Sequence, residues 1–202
     1  MKNLLSLFAV IGCTLTFASC GNDKPNTATH SADTTTAAPA ATSTTATYTP
    51  PAGVDASVSV GIKGIVDAYL GVKNALAKDN TQDAATAGTA VVTAVEKVDM
   101  KPMNDAQMKV WHEVMDDIKE HGQHISDNSG KIAHQREHLE MLSKDVETLA
   151  KTFGGGQKLY KEYCPMAFDN KGAAWLSESE EIKNPYFGSE MLECGEVKEE
   201  LK

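Results

Sequence analysis

The sequence predicts an all-α domain: an antiparallel up-down bundle of about four helices, followed by an irregular segment carrying cysteine and methionine. Three observations predict it. Apolar residues recur at spacings of three and four in four separate stretches between Val54 and Gly156. Short turn-forming sequences separate these stretches, as in antiparallel neighbours rather than long crossovers. No stretch alternates apolar and polar residues for long enough to read as a strand, and no internal repeat is visible.

The first helix begins near Val54. Val58, Ile62, Ile65, Tyr69, Val72 and Leu76 form one apolar stripe. "KDNTQD" interrupts it, with Asn80 or Thr81 suited to cap the next helix. Ala84, Ala87, Val91, Val95 and Val98 form a second stripe, whose small side chains allow close helix approach. After "DMKPMND", Met108, Trp111, Met115, Ile118 and Ile125 form a third, with Gly122 in register. "SDNSG" turns the chain. Ile132, Leu139, Leu142, Val146 and Leu149 form the fourth, with Gln135 on the same face, and Gly154, Gly155 and Gly156 end it. About 100 residues of this kind can enclose one modest core.

Residues 1–19 read as a signal peptide. Lys2 supplies the positive start, "LLSLFAVIGCTLTFA" is apolar but short for a membrane span, and small residues precede Cys20. The pattern resembles a bacterial lipoprotein signal cut before Cys20, which implies lipid on that cysteine. Residues 20–53 are then the lipidated Cys20 and a Thr/Ala/Pro-rich tether, too poor in apolar residues to order itself. Residues 54–202 are the helical domain. The expected location is the cell envelope, lipid-anchored to the outer membrane and facing the periplasm or the cell surface. Loss of the signal, with its single Lys, leaves 18 Lys+Arg against 28 Asp+Glu, a charge of −10. Such a chain repels nucleic acid, and the acyl chains would attach it to the membrane without a basic patch.

Cys13 leaves with the signal and Cys20 is consumed by lipid, so Cys164 and Cys194 remain. Two thiols in an exported protein commonly form a disulfide. Closing this 30-residue separation would stabilise the fold by roughly 3–4 kcal/mol on the loop-entropy account. A second reading starts from the neighbours. "CPM" sets Met166 beside Cys164, and "MLEC" sets Met191 beside Cys194. Thiolate and thioether together favour Cu(I). On the residues alone both readings stay open. "KLYKEYCPMAF" reads as a short helix limited by Pro165. Trp175, Leu176, Tyr186 and Phe187 need burial against the first or fourth helix.

The histidines give a further candidate. His121 and His124 are spaced i, i+3, and His134 and His138 i, i+4, on two helices that the turn folds together. Four imidazoles on one hairpin could bind zinc, copper or nickel. At about 100° per residue, His121 and His138 flank the apolar stripes while His124 and His134 point further out. His121 and His138 are therefore the auxiliary pair, and solvated histidines on an acidic hairpin are the plain alternative. No nucleophile elbow, phosphate loop or zinc-protease "HExxH" is present, and the carboxylate runs read as solvated faces. The chain is expected to bind rather than catalyse.

"DAYLGVKNALAKDN", "IAHQREHLEMLS", "CPMAFDNKGAAWLS" and "EIKNPYFGSEMLECGEVKEEL" resemble the domain-of-unknown-function 3347 family, found in exported and lipoprotein chains of Gram-negative bacteria. The resemblance runs from about Val54 to the C-terminal end. It implies a helical bundle with a Cys/Met segment and a kinship with domains attached to adaptor subunits of heavy-metal efflux pumps. It also implies heavy-metal, chiefly copper, binding through Cys164, Met166, Met191 and Cys194. His138 falls in its "QREH" pattern, where Leu139 departs from the expected Phe. The expected function is a lipid-anchored envelope protein that binds a soft ion, Cu(I) before zinc or nickel, for buffering or for delivery to efflux components. The competing expectation is a helical interaction module of an envelope complex, pinned by a Cys164–Cys194 disulfide and without a metal role.

Overall fold

A computed structural model of the chain describes residues 46–49 and 52–202. The signal peptide, the lipidation site at Cys20 and most of the tether lie outside the described residues. The four helices form where the stripes place them: α1 Ala56–Leu76, α2 Thr81–Glu96, α3 Asp105–Asp127 and α4 Ile132–Phe153. Their starts are capped by local chemistry. The Asp55 side chain accepts from Ser57 N–H, and Asn80 accepts from Asp83 N–H. Asn104 and Gln107 form a reciprocal capping box.

Each helix runs antiparallel to its neighbours. Lys119 of α3 pairs with Glu96 at the end of α2, and Thr89 in the middle of α2 bonds Ser126 near the end of α3. Tyr69 meets Ser143, and Arg136 meets the Leu76 carbonyl, so α1 and α4 also run in opposite senses. The small residues of α2 act as expected. A methyl group on Gly88 would lie 2.6 Å from the Gly122 carbonyl oxygen, so the two backbones touch at a point only glycine permits. Val58, Ile62, Ile65, Leu76, Val91, Trp111, Ile118, Ile125, Leu139, Leu142 and Leu149 fill the core.

The all-α expectation is contradicted. The chain carries a four-stranded mixed sheet of β1 Ala46–Tyr48, β2 Leu159–Cys164, β3 Ala173–Ser177 and β4 Glu196–Leu201, in the order β1-β4-β2-β3. The β1–β4 pair is parallel and the other two are antiparallel. The "KLYKEYC" stretch, expected as a short helix, is β2, and residues 46–48, assigned on sequence to the tether, are β1. The strands are short and interrupted by charge, yet pairing satisfies their backbone groups and three aromatic rings close the sheet onto the bundle. Tyr69 Oη of α1 accepts from Leu176 N–H at 2.9 Å and bonds Ser143 Oγ of α4 at 2.9 Å. Burial pushes its phenol well above the ordinary tyrosine range. Tyr48 Oη donates to the Lys151 carbonyl at 2.6 Å, which ties β1 to α4. Trp175 is buried against Tyr186, with ring centroids 5.7 Å apart. Strand β3, which carries Trp175 and Leu176, thus packs on α4 and α1.

Where β2 meets α1, a buried polar cluster interrupts the apolar interior. Lys73 is 1% exposed and pairs with Glu178 at 2.9 Å, while Ser177 lies 3.4 Å from its Nζ. Glu162 is fully buried, and neither of its carboxylate oxygens makes a hydrogen bond, although Trp175 and Ser177 stand beside it. Burial raises its pKa from 4.5 to about 7, against the pull of Lys73. The folded chain therefore holds an extra proton between those two values. The stability this gives is fully present below pH 4.5 and is lost as pH rises through 7. Glu162→Gln is expected to leave stability near pH 4 unchanged and to raise it at pH 8 by on the order of 2–3 kcal/mol. Urea unfolding of both proteins at the two pH values reads this directly. A variant less stable at pH 8 would show that Lys73 needs the charge.

Candidate metal centre

Cys164 ends β2 and is fully buried, opposite Ala173 of β3. Cys194 lies just before β4 and is partly buried. Thirty residues separate the two in sequence, yet Cys164 lies near enough to Cys194 to perturb its thiol, and both are free thiols. That proximity, more than burial, pushes the Cys194 thiol up to about 11. At neutral pH Cys194 is therefore a protonated thiol and a poor nucleophile until an ion or an oxidant displaces its proton.

Asn184 holds the approach of Cys194 in place. It is fully buried, and all its polar groups are used. Its Nδ2 donates to the Cys194 carbonyl at 2.7 Å. Its Oδ1 accepts from Tyr186 N–H at 2.8 Å and from Phe187 N–H at 3.3 Å. Its backbone N–H donates to Leu192, and its carbonyl accepts from Gly188 N–H. The "NPYFG" turn and the "MLEC" loop are thus one hydrogen-bonded unit. Gly195 follows Cys194 at a φ of 151°, where a methyl group would lie 2.9 Å from the Trp175 ring. Only glycine lets the chain pass from Cys194 into β4 over that ring.

Met166 and Met191 line one open cleft of about 510 Å³ between α4 and the C-terminal segment, together with Arg136, Glu137, Phe168 and Phe187. Met166 is 47% exposed. The four residues read from the sequence therefore fall into a pair of neighbouring thiols and a thioether pair sharing one cleft. A larger groove, of about 930 Å³, lies elsewhere, between α1 and α2. It is lined mainly by Gly, Ala and Thr, with Lys97 and Asp99 at one end, and holds no set of soft or imidazole donors.

The hairpin histidines sit closer than the helical angles suggest. His121 and His138 are in contact, Nδ1 to Nδ1 at 3.1 Å. His124 stacks on His138 with centroids 4.3 Å apart, and His134 meets His138 edge-on at 4.6 Å. Ligand atoms of His124, His134 and His138 all lie within 4.8 Å of one another. His124 and His134, read from the sequence as pointing outward, are thus part of the cluster. The angular argument treats each helix alone, and long side chains on facing helices close the gap. Burial, followed by the neighbouring imidazoles, lowers His138 to about 4, and burial lowers His121. Burial and Asp117 raise Asp145 to about 6.

Residues 65–158 match the family model described as "Protein of unknown function (DUF3347)". This stretch, from within α1 to just before β2, is a domain-of-unknown-function segment. It contains all four hairpin histidines and ends before Cys164, so the C-terminal motifs lie beyond it. Neither a curated protein nor a solved structure matches the chain. No helix of the described residues is long and apolar enough to cross a membrane.

Proposed function

We propose that this chain is a metal-capture protein of the bacterial cell envelope, tethered by lipid at Cys20, that binds a soft ion through Cys164 and Cys194 with Met166 and Met191 as thioether partners. The observation that carries the reading is that the fold brings Cys164, at the end of β2, and Cys194, just before the paired strand β4, near each other. Two thiols brought together across a sheet edge, with two thioethers in the adjoining cleft, are a donor set that suits Cu(I) better than a harder ion. The Cys164–Pro165–Met166 turn and the Asn184-held loop bring in one Cys and one Met each. Phe187 lines the cleft beside the two thioethers. Binding displaces the Cys194 proton, so affinity rises with pH below the thiol pKa. The captured ion is buffered or handed to a heavy-metal efflux component. The role is binding, not catalysis.

The same proximity would serve a disulfide, and a thiol count separates the two. Protein purified under oxidising conditions is expected to show two free thiols in the mature chain that Cu(I) protects one ion per pair. No free thiols, together with no copper held after reduction, would replace this reading with that of a disulfide-pinned interaction module.

A further inference from the structure

The thiol site leaves the α3–α4 hairpin unexplained. Four imidazoles from two helices converge there, among Asp117, Glu120, Glu137, Glu140 and Asp145. Imidazoles packed this tightly against one another and against carboxylates are more than a solvated face requires. We propose that His124, His134 and His138 form a second metal site, for a borderline divalent transition ion of the Zn2+, Ni2+ or Cu2+ type, with His121 as a positioning residue and not a ligand.

Proton placement separates these roles. His121 Nε2 faces Asp145 Oδ2 at 3.9 Å, and in the proposed arrangement its proton sits on that nitrogen. Its Nδ1 then accepts from His138 Nδ1–H across 3.1 Å. The lone pair of His138 Nε2 is left free for an ion. His134 repeats the pattern more simply. Its Nδ1 lies 3.2 Å from Glu137 Oε2 and donates there, which frees Nε2. A metal-bound histidine characteristically gives its other N–H to a carboxylate or a further acceptor, which fixes both tautomer and ring orientation. Here two of the three proposed ligands already have that outer partner.

The spacing is open but closable. Nitrogens bonded at about 2.0–2.1 Å to a tetrahedral ion stand roughly 3.3 Å apart, against the present limit of 4.8 Å. His124 and His134 have side chains 45% and 38% exposed, so both can rotate inward without disturbing the core. Their exposure also leaves one side of the ion to water or to a delivered ligand. Imidazole suits these borderline ions, whereas the sulfur set suits Cu(I), so the two sites sort ions by softness. The inference does not rest on the thiol reading, since the sites share no residue.

The test uses the full mature chain carrying C164S and C194S, titrated with Zn2+ and separately with Cu2+. The expected result is one equivalent of Zn2+ bound, and a Cu2+ EPR spectrum with nitrogen hyperfine structure. His124→Ala and His134→Ala should each abolish stoichiometric binding. His121→Gln should weaken affinity by about 10–100-fold without changing the stoichiometry. Should the cysteine-free chain fail to fold, the His124→Ala and His134→Ala changes in the cysteine-containing chain should hold one equivalent of Zn2+ fewer than wild type, with Cu(I) protection of the thiols unchanged. No binding by a folded cysteine-free chain, or Zn2+ binding indifferent to His124 and His134, overturns the inference.

Discussion

Cys194→Ser is expected to abolish tight Cu(I) binding while leaving the helical content of the chain intact. The two effects separate because Cys194 lies in a loop after the bundle, only partly buried and at the margin of the core, while most of the core comes from α1 to α4. Serine keeps the size of the side chain, so packing beside Trp175 changes little. It offers a soft ion no thiolate. The loss should exceed the roughly 10–100-fold that follows from removing an outer-shell partner. Competition against a Cu(I) chelator gives the affinity, and far-UV circular dichroism on the same sample checks the fold. Met191→Leu, which removes a thioether but keeps the apolar bulk, should give a smaller loss. Unchanged affinity in Cys194→Ser would remove the thiol pair from any metal role. It would leave the structural reading of Cys164 and Cys194, which then predicts a marked drop in stability on reduction.

The bundle was legible in the sequence because each helix announces itself locally. Val58 to Leu76 carry a stripe at helical spacing, and Asn80 and Asn104 start the next elements with side chains suited to nothing else. The sheet was not legible, for reasons visible strand by strand. The β4 sequence "EVKEEL" is acidic, with one β-branched residue, and reads as a solvated charge run. In β2 the fully buried residues include Glu162, where a pattern search expects an apolar side chain, and a register shift at Lys161/Glu162 breaks the alternation. β3 is five residues of "AAWLS", and β1 is three. What makes these strands is pairing across long sequence separations, β1 with β4 above all, which no local window contains. The candidate site divides the same way. "CPM" and "MLEC" marked the sulfurs, and the structure joins the two cysteines. Nothing in the sequence marked Asn184, one polar residue in a turn, as the link between them. The histidine cluster was visible as spacing, but which imidazoles converge depended on how two helices face each other.

Asn184→Ala is expected to be the most damaging single change in the C-terminal segment that touches neither a sulfur nor the core. The side chain closes three hydrogen bonds inside the fold, to the Cys194 carbonyl and to the Tyr186 and Phe187 amides. Alanine leaves these backbone groups buried without partners, a cost of about 2–3 kcal/mol. The consequence for the site follows from the geometry. Residues 184–195 lose the bond that sets Cys194 against Cys164, so the thiols separate before the bundle unfolds. Cu(I) affinity should fall, and amide hydrogen exchange should quicken in the "NPYFG" and "MLEC" stretches while α1 to α4 stay protected. Asn184→Asp makes the argument sharper. It keeps the acceptor for Tyr186 and Phe187 but has no N–H for the Cys194 carbonyl, so it should retain the turn and still loosen Cys194. If both variants keep wild-type Cu(I) affinity and exchange rates, Asn184 is not what holds the two cysteines together. The pairing of β2 with β4, which ends at Tyr163 and Glu196, would then be sufficient.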